Sequence, residues 1–254
     1  MSEKRVLNWG LYGFENYGDD LLQNTILSKM EKKSIKPVFP MKVIYPHLNA
    51  KQVSLSYKEL FFRAKDCEAL IIGPGGLFPF ANWKKLTVFY AAVIWWKLKQ
   101  RKVAFLGTGI SKRMDRISRF LWKKMIKKCD LFFTHSDGFL ENINVSETDM
   151  IQTIADIAFA SGVTTPSLDA CVEKRVGIAV ANLFDDTDLQ KYEVSISVWS
   201  RVCKSLIESD YIVDLIAFTK GKDDIMISDI VKNLPGNVAG GTADTLQRGI
   251  RCCS

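Results

Sequence analysis

"NWGLYGFENYGDDLLQN", residues Asn8 to Asn24, runs from an apolar stretch through three glycines into two aspartates and then an amphipathic run. It reads as strand, glycine loop, helix. Glycine after a strand lets the backbone turn tightly or approach a ligand closely. Loops of this kind commonly cradle an anion at the helix N-terminus, but here Asp19 and Asp20 occupy that position. Two carboxylates already satisfy the helix dipole and repel another anion, so this loop suits a neutral ligand. A carboxylate accepts hydrogen bonds from sugar hydroxyls and can orient or deprotonate one. A second reading stands beside it, in which Asp19 is the helix N-cap.

Outward from this stretch, continuous apolar runs alternate with helical patterns, as in sheets buried on both faces. Strands are predicted at 5–9, 38–44, 69–73, 103–107 and 131–134, with helices near 19–31, 83–99 and 115–128. "FASGVTTPSLDACVEK" (159–174) then has the composition of a linker. A second unit follows, with strands at 175–181 and 211–218 and helices near 188–209 and 223–233. The prediction is two Rossmann-like domains, residues 1–160 and 174–254, joined by 161–173. Two further glycine-rich stretches follow predicted strands, "IIGPGGLF" (71–78) and "FLGTGISKR" (105–113). Open parallel sheets bind ligands beyond the carboxyl ends of their strands, so the three loops are expected to converge there. None matches a dinucleotide fingerprint: Gly10, Gly13 and Gly18 are too widely spaced, and no loop ends in the Gly-Lys-Ser/Thr of a phosphate-binding loop.

The chain has 254 residues, a formal net charge of +7 and a pI near 9.0, which favours an anionic partner without naming its class. The N-terminus shows no secretory pattern, and the most apolar stretch is shorter than the roughly 20 residues a membrane span needs, so a cytoplasmic protein is expected. Six scattered cysteines without a Cys-x-x-Cys pair predict reduced, mostly buried thiols. "FDDTD" (184–188) contains Asp-x-Asp but precedes a helix, where capping is the better reading, and no bound metal is predicted. "AAVIWWKLK" reads as a buried crossover helix; its aromatics lack interleaved basic residues, so no nucleic-acid partner is expected. The basic helix "RISRFLWKKMIKKC" places Ile117, Phe120, Leu121 and Met125 near one face. It reads as an ordinary surface helix or as a peripheral contact with the inner face of the membrane.

"GLYGFENYGDDLL", "ALIIGPGGLF", "VAFLGTGIS", "RISRFLWKKMIKKCD" and "IADIAF" (154–159) occur in the order and approximate spacing of the polysaccharide pyruvyl transferases, a family that the chain resembles over nearly its whole length. The resemblance implies a GT-B-like fold of two Rossmann-like domains. It also implies transfer of a pyruvyl group from phosphoenolpyruvate to a sugar of a surface polysaccharide or its lipid-linked precursor, with no cofactor. Gly13, Asn16, Gly18 and Asp19 align with the family's Gly-x-x-Asn-x-Gly-Asp-Glu loop, Asp20 replacing the glutamate. Gly75 and Gly76 align with the second motif, and Gly107, Gly109 and Ile110 with the third. These eight residues other than Asp19 are the expected substrate-binding set, and Asp19 is the expected catalytic residue.

Three further positions depart from the pattern. His135 and Ser136 stand where the family has Arg-Asp, and Ile157 stands for proline after Asp156. A histidine there carries positive charge only when protonated. The family's Arg-x-His motif, which the resemblance assigns to phosphoenolpyruvate, has no counterpart before Ser254; His47 and His135 come too early in the sequence. On that basis the chain is expected to be a shortened member with an incomplete second domain and no activity. A nucleotide-sugar glycosyltransferase of related architecture and a non-catalytic binding module are the alternatives.

Overall fold

The computed structural model describes residues 4–45, 48, 50–78, 83–110, 114–161, 174–182 and 189–234. The chain divides into two compact units, Met1–Phe14 with Gly18–Ser161, and Glu15–Tyr17 with Gly162–Ser254. Most of the predicted linker, "FDDTD", His47 and the chain's last twenty residues lie outside the described residues, as does the question of whether the second domain is complete.

The first unit is built on one parallel sheet. Its strands are β1 (Arg5–Trp9), β2 (Lys36–Met41), β3 (Lys51–Ser54), β4 (Ala69–Ile72), β5 (Gly75–Phe78), β6 (Lys102–Ile110), β7 (Leu131–Thr134) and β8 (Ile151–Thr153). They lie in the order β3-β2-β1-β4-β6-β7-β8, with β5 pairing β6 beyond the end of β4. The order reverses at β1, the kind of switch point where open α/β sheets leave a crevice. The helices are α1 (Tyr17–Glu31), α2 (Tyr57–Phe62), α3 (Trp83–Leu98), α4 (Arg116–Ile126) and the short α5 (Phe139–Asn142).

Strand alternation sorts the core into two layers. Leu7, Trp9, Leu70, Ile72, Val103 and Phe105 pack with side chains of α2, α3 and α4, while Val6 packs with Ile26 and Met30 of α1 and with Ala69, Ile71 and Leu106. Trp122 of α4 sits in an aromatic cluster, edge-on to Phe105, Phe132 and Phe139 at 5.5, 5.9 and 5.6 Å. Asp130, at the start of β7, accepts from Lys97 Nζ at 2.8 Å, Lys102 Nζ at 3.1 Å and the Val103 amide at 2.9 Å. Burial pushes its carboxyl up, but those hydrogen bonds outweigh it and hold the group below the usual carboxylate range.

The second unit pairs β9 (Arg175–Val180) with β10 (Ile212–Ala217) in parallel, Arg175 opposite Ile212 and Val180 opposite Ala217. Helices α6 (Leu189–Glu208) and α7 (Asp223–Lys232) pack on it around Val180, Ile196, Cys203, Met226 and Ile230. The α/β class with parallel sheets in both units is therefore as predicted from the sequence.

Several local expectations are corrected. Helix α1 begins at Tyr17, so Asp19 stands inside its first turn and is not its N-cap. Gly75 and Gly76 lie in β5, and β6 continues past Gly107, the predicted end of its strand, through Gly109 and Ile110, where loops were expected. Glycine-rich sequence hides a strand because the usual β-branched and aromatic residues are missing. On α4, Leu121 and Met125 are buried but Ile117 and Phe120 are exposed, so the four do not share one covered face. Cys67 and Cys203 are buried free thiols and Cys129 is half-buried. Burial pushes the Cys67 and Cys129 thiols up to about 11 and about 12.

Candidate functional site

At the carboxyl end of β1 the chain turns around Asn8 and Tyr12, both fully buried. Asn8 Nδ2 donates to the Gly73 carbonyl at 2.6 Å, and the Tyr12 hydroxyl lies 2.9 Å from Asn8 Oδ1 and 3.2 Å from the same carbonyl. These bonds tie the first glycine stretch to the second. Burial raises the Tyr12 hydroxyl well above its ordinary value, and the Asp19 charge adds to the effect. The phenol is thus held neutral as a donor.

Gly73 and Gly75 have φ of +111° and +95°, and the Gly73–Pro74 peptide is cis. This turn carries the backbone from β4 into β5 and sets it against α1: a Cβ added to Gly75 would stand 2.9 Å from Asp19 Oδ1. On the other side, a Cβ on Gly109 would stand 2.9 Å from His135 Nε2 and 3.4 Å from the Gly75 carbonyl oxygen. Asp19, Gly75, Gly109 and His135 are therefore neighbours, drawn from α1, β5, β6 and the end of β7. The three glycine stretches meet at one edge of the sheet.

The Asp19 carboxyl is pushed up to about 6, first by burial and then by the charge of Asp20. A carboxylate with that affinity exchanges protons near neutral pH and suits acid–base work. Behind the edge, Thr134 Oγ donates to the Thr108 carbonyl at 2.8 Å, and Ser136 Oγ accepts the Ile110 amide at 2.6 Å. Gly107 has φ of +58° where the β6–β7 pairing shifts register, as glycines at bulges do. Its missing Cβ makes room for Ile157, whose Cδ1 would lie 2.5 Å away.

Not every expected residue is placed in this cluster. Gly13 has φ of +74° and its Cβ would stand 2.6 Å from the Val43 carbonyl oxygen, so its motif match reports backbone packing. Asn16 belongs to the second unit, where its Nδ2 donates to Thr219 Oγ at 3.0 Å. Gly18 is the second residue of α1. Gly76, by contrast, has nothing within 4 Å of an added Cβ. Gly13→Ala is expected to cost about 2–4 kcal/mol, combining left-handed strain with a backbone clash. Gly76→Ala is expected to stay within about 0.5 kcal/mol of wild type. Thermal melts of the two variants check this, and Gly76→Ala then probes what enters the open space.

Sequence reasoning missed Asn8, Tyr12 and Thr108. The signal was present for Asn8, a polar residue inside the apolar run "RVLNW". Among the described residues, no group of three or more His, Cys, Asp or Glu is placed to hold a metal ion. A concavity of about 440 Å³ along α6, between Glu193, Arg201, Lys204 and Asn233, belongs to the second unit and touches none of these groups.

A family model for polysaccharide pyruvyl transferase matches residues 16–235. The chain belongs to the polysaccharide pyruvyl transferase family. No curated protein matches this pyruvyl transferase family member. Among solved structures it is similar to an engineered D-amino acid dehydrogenase bound to NADP+, with 11% identity over 52% of this chain and 36% of that one and a TM-score of 0.31. It is also similar to the C. glutamicum DAP dehydrogenase in complex with DAP (13% identity, 42% and 27% of the two chains, TM-score 0.26). A third is MoeE5 in complex with UDP-glucose and NAD (10% identity, 90% and 81% of the two chains, TM-score 0.31). The pyruvyl transferase family member thus spans about a third of the length of the first of these.

Proposed function

We propose, in place of the inactivity expected from the missing Arg-x-His motif, that the protein transfers the pyruvyl group of phosphoenolpyruvate to two hydroxyls of one sugar, on a surface polysaccharide or its lipid-linked precursor. Two sugar oxygens bond to C2 of the enol, C3 gains one hydroxyl proton, and the C2–O bond to phosphate breaks. The second hydroxyl proton leaves with the phosphate, and a cyclic ketal remains. One observation carries this reading beyond family membership: Asp19, with its carboxyl near 6, is set against the bare backbone of Gly75, whose carbonyl oxygen in turn faces Gly109 and, past it, His135. A base of that strength can take a proton from a sugar hydroxyl at neutral pH. Gly76, next to Gly75 and with nothing within 4 Å of an added Cβ, would let the sugar approach the backbone closely. In this reading His135, beside Gly109, meets the anionic donor across the same glycine floor.

The test incubates the chain with phosphoenolpyruvate and a lipid-linked glycan bearing a free vicinal or 4,6-diol, following phosphate release and the ketal by mass spectrometry. Acceptor-dependent phosphate with a matching ketal supports the proposal. Consumption of a nucleotide sugar in its place overturns it in favour of a glycosyltransferase, and binding of glycan without turnover of either donor overturns it in favour of a binding module.

A further inference from the structure

Residues 69–129 carry fourteen Lys or Arg and a single carboxylate, Asp115, for a formal charge of +13 in a chain whose total is +7. The rest of the chain is therefore net acidic. The basic stretch includes α3 and α4, which lie side by side on one face of the sheet with α2 next to α3. On the outward side of α3, Thr87, Ala91, Trp95 and Leu98 follow one another at helical spacing and all are exposed, Leu98 at 72%. The outward side of α4 begins with Ile117 and Phe120, 53% and 56% exposed, and continues into Lys124, Lys127 and Lys128. Phe62 at the end of α2 is exposed beside them in the helix order. A helix apolar on all sides is ordinarily covered on all sides. Among the described residues, nothing covers the outward side of α3.

Lysines accompany the aromatics. Lys99 Nζ lies 4.8 Å from the Trp95 ring centre, Lys124 Nζ 5.2 Å from that of Phe120, and Lys65 Nζ 5.7 Å from that of Phe62. The nearby carboxylates are engaged inward or locally: Asp130 with Lys97 and Lys102, Glu59 and Asp66 with Arg63, and Asp115 with the Ser118 amide and hydroxyl.

We infer that the outward face of α2, α3 and α4 docks on an anionic lipid bilayer. Aliphatic and aromatic side chains enter the headgroup region while lysines stay at its level on long apolar stems. Charge decides among possible occupants. A second copy meeting this face through a two-fold axis would set like charges against each other. Nucleic acid would satisfy the lysines but leave Leu98 and Ile117 without a partner. An anionic bilayer satisfies both. The inference does not rest on the proposed reaction.

The test floats the intact chain with vesicles of phosphatidylcholine alone and of phosphatidylcholine with phosphatidylglycerol. Binding is expected to the second only, and to fall as salt is raised. Since each lysine near an anionic surface contributes roughly fivefold in partitioning, Lys124→Gln, Lys127→Gln and Lys128→Gln together should lower it about a hundredfold. Leu98→Ser, Ile117→Ser and Phe120→Ser together should lower it at least about tenfold at low salt, with far-ultraviolet circular dichroism unchanged. Equal binding to both vesicles, no binding to either, or full binding by both variants overturns the inference. Light scattering that finds a dimer abolished by the serine variant, without vesicle binding, reassigns the face to a second copy; retention of duplex RNA without vesicle binding reassigns it to nucleic acid.

Discussion

Asp19→Asn is expected to lower turnover by roughly a hundred- to ten-thousand-fold, the range for loss of a positioned general base. The fold should survive, because Asn keeps the shape of the side chain beside Gly75. It should in fact gain stability at neutral pH. The folded-state carboxyl is raised from 3.8 to about 6. A raised carboxyl means that the protonated form is the one that stabilises the fold, fully below about pH 4. That contribution fades as pH rises through 6. At pH 7 the wild type therefore holds a charge that the fold disfavours, and Asn removes it. Taken at full weight the shift is about 3 kcal/mol; with the carboxyl partly open to water, about 1 kcal/mol is the expected gain. Denaturant melts at pH 7 and pH 4 check it, since the gain should vanish at the lower pH. The kinetic counterpart is a wild-type activity that climbs as pH rises through 6. Wild-type turnover in the variant would remove Asp19 from the mechanism.

The second large effect is structural. Asp223 opens α7 and is 3% exposed. Its Oδ1 accepts the Asn182 amide at 2.9 Å, just past β9, and its Oδ2 accepts the amides of Phe218 and Thr219 at 3.1 and 2.7 Å, just past β10. One carboxylate therefore closes the ends of both strands onto a helix. Asp223→Ala leaves three amides without that acceptor. Each buried amide so stranded costs about 1–3 kcal/mol, and water reaches some of them, so a total of about 3 kcal/mol or more is expected. In a unit whose described core is one pair of strands and two helices, that should appear as early melting and as proteolysis between β10 and α7. Asp223→Asn keeps one acceptor oxygen and should fall between the two. A melt indistinguishable from wild type would show that the three bonds contribute little.

The buried strands were legible in the sequence wherever both faces are covered, as in β1, β4 and β7, because a short continuous apolar run bounded by polar residues fits a strand packed on both sides. It concealed β3, whose "KQVS" is half exposed at the sheet edge, and β8, only three residues long. It concealed β5 because glycine carries no side-chain pattern. At the site, the grouping of glycines was legible but their separate duties were not. Gly13 answers to the Val43 backbone and Gly107 to a bulge and Ile157, whereas Gly75 and Gly109 make room beside Asp19 and His135. Those distinctions depend on φ and on neighbours distant in sequence.

The strand order also bears on how a nascent chain assembles this sheet. Each of β2, β3, β4, β6, β7 and β8 pairs in parallel with a strand synthesised before it, first outward from β1 on one side and then outward on the other. No strand has to wedge between two that are already joined. As the chain leaves the ribosome the sheet can therefore grow without dismantling earlier pairs. The free edge of β1 stays open only until residues 69–72 emerge, so the interval of greatest risk for wrong pairing falls during synthesis of β2, β3 and α2.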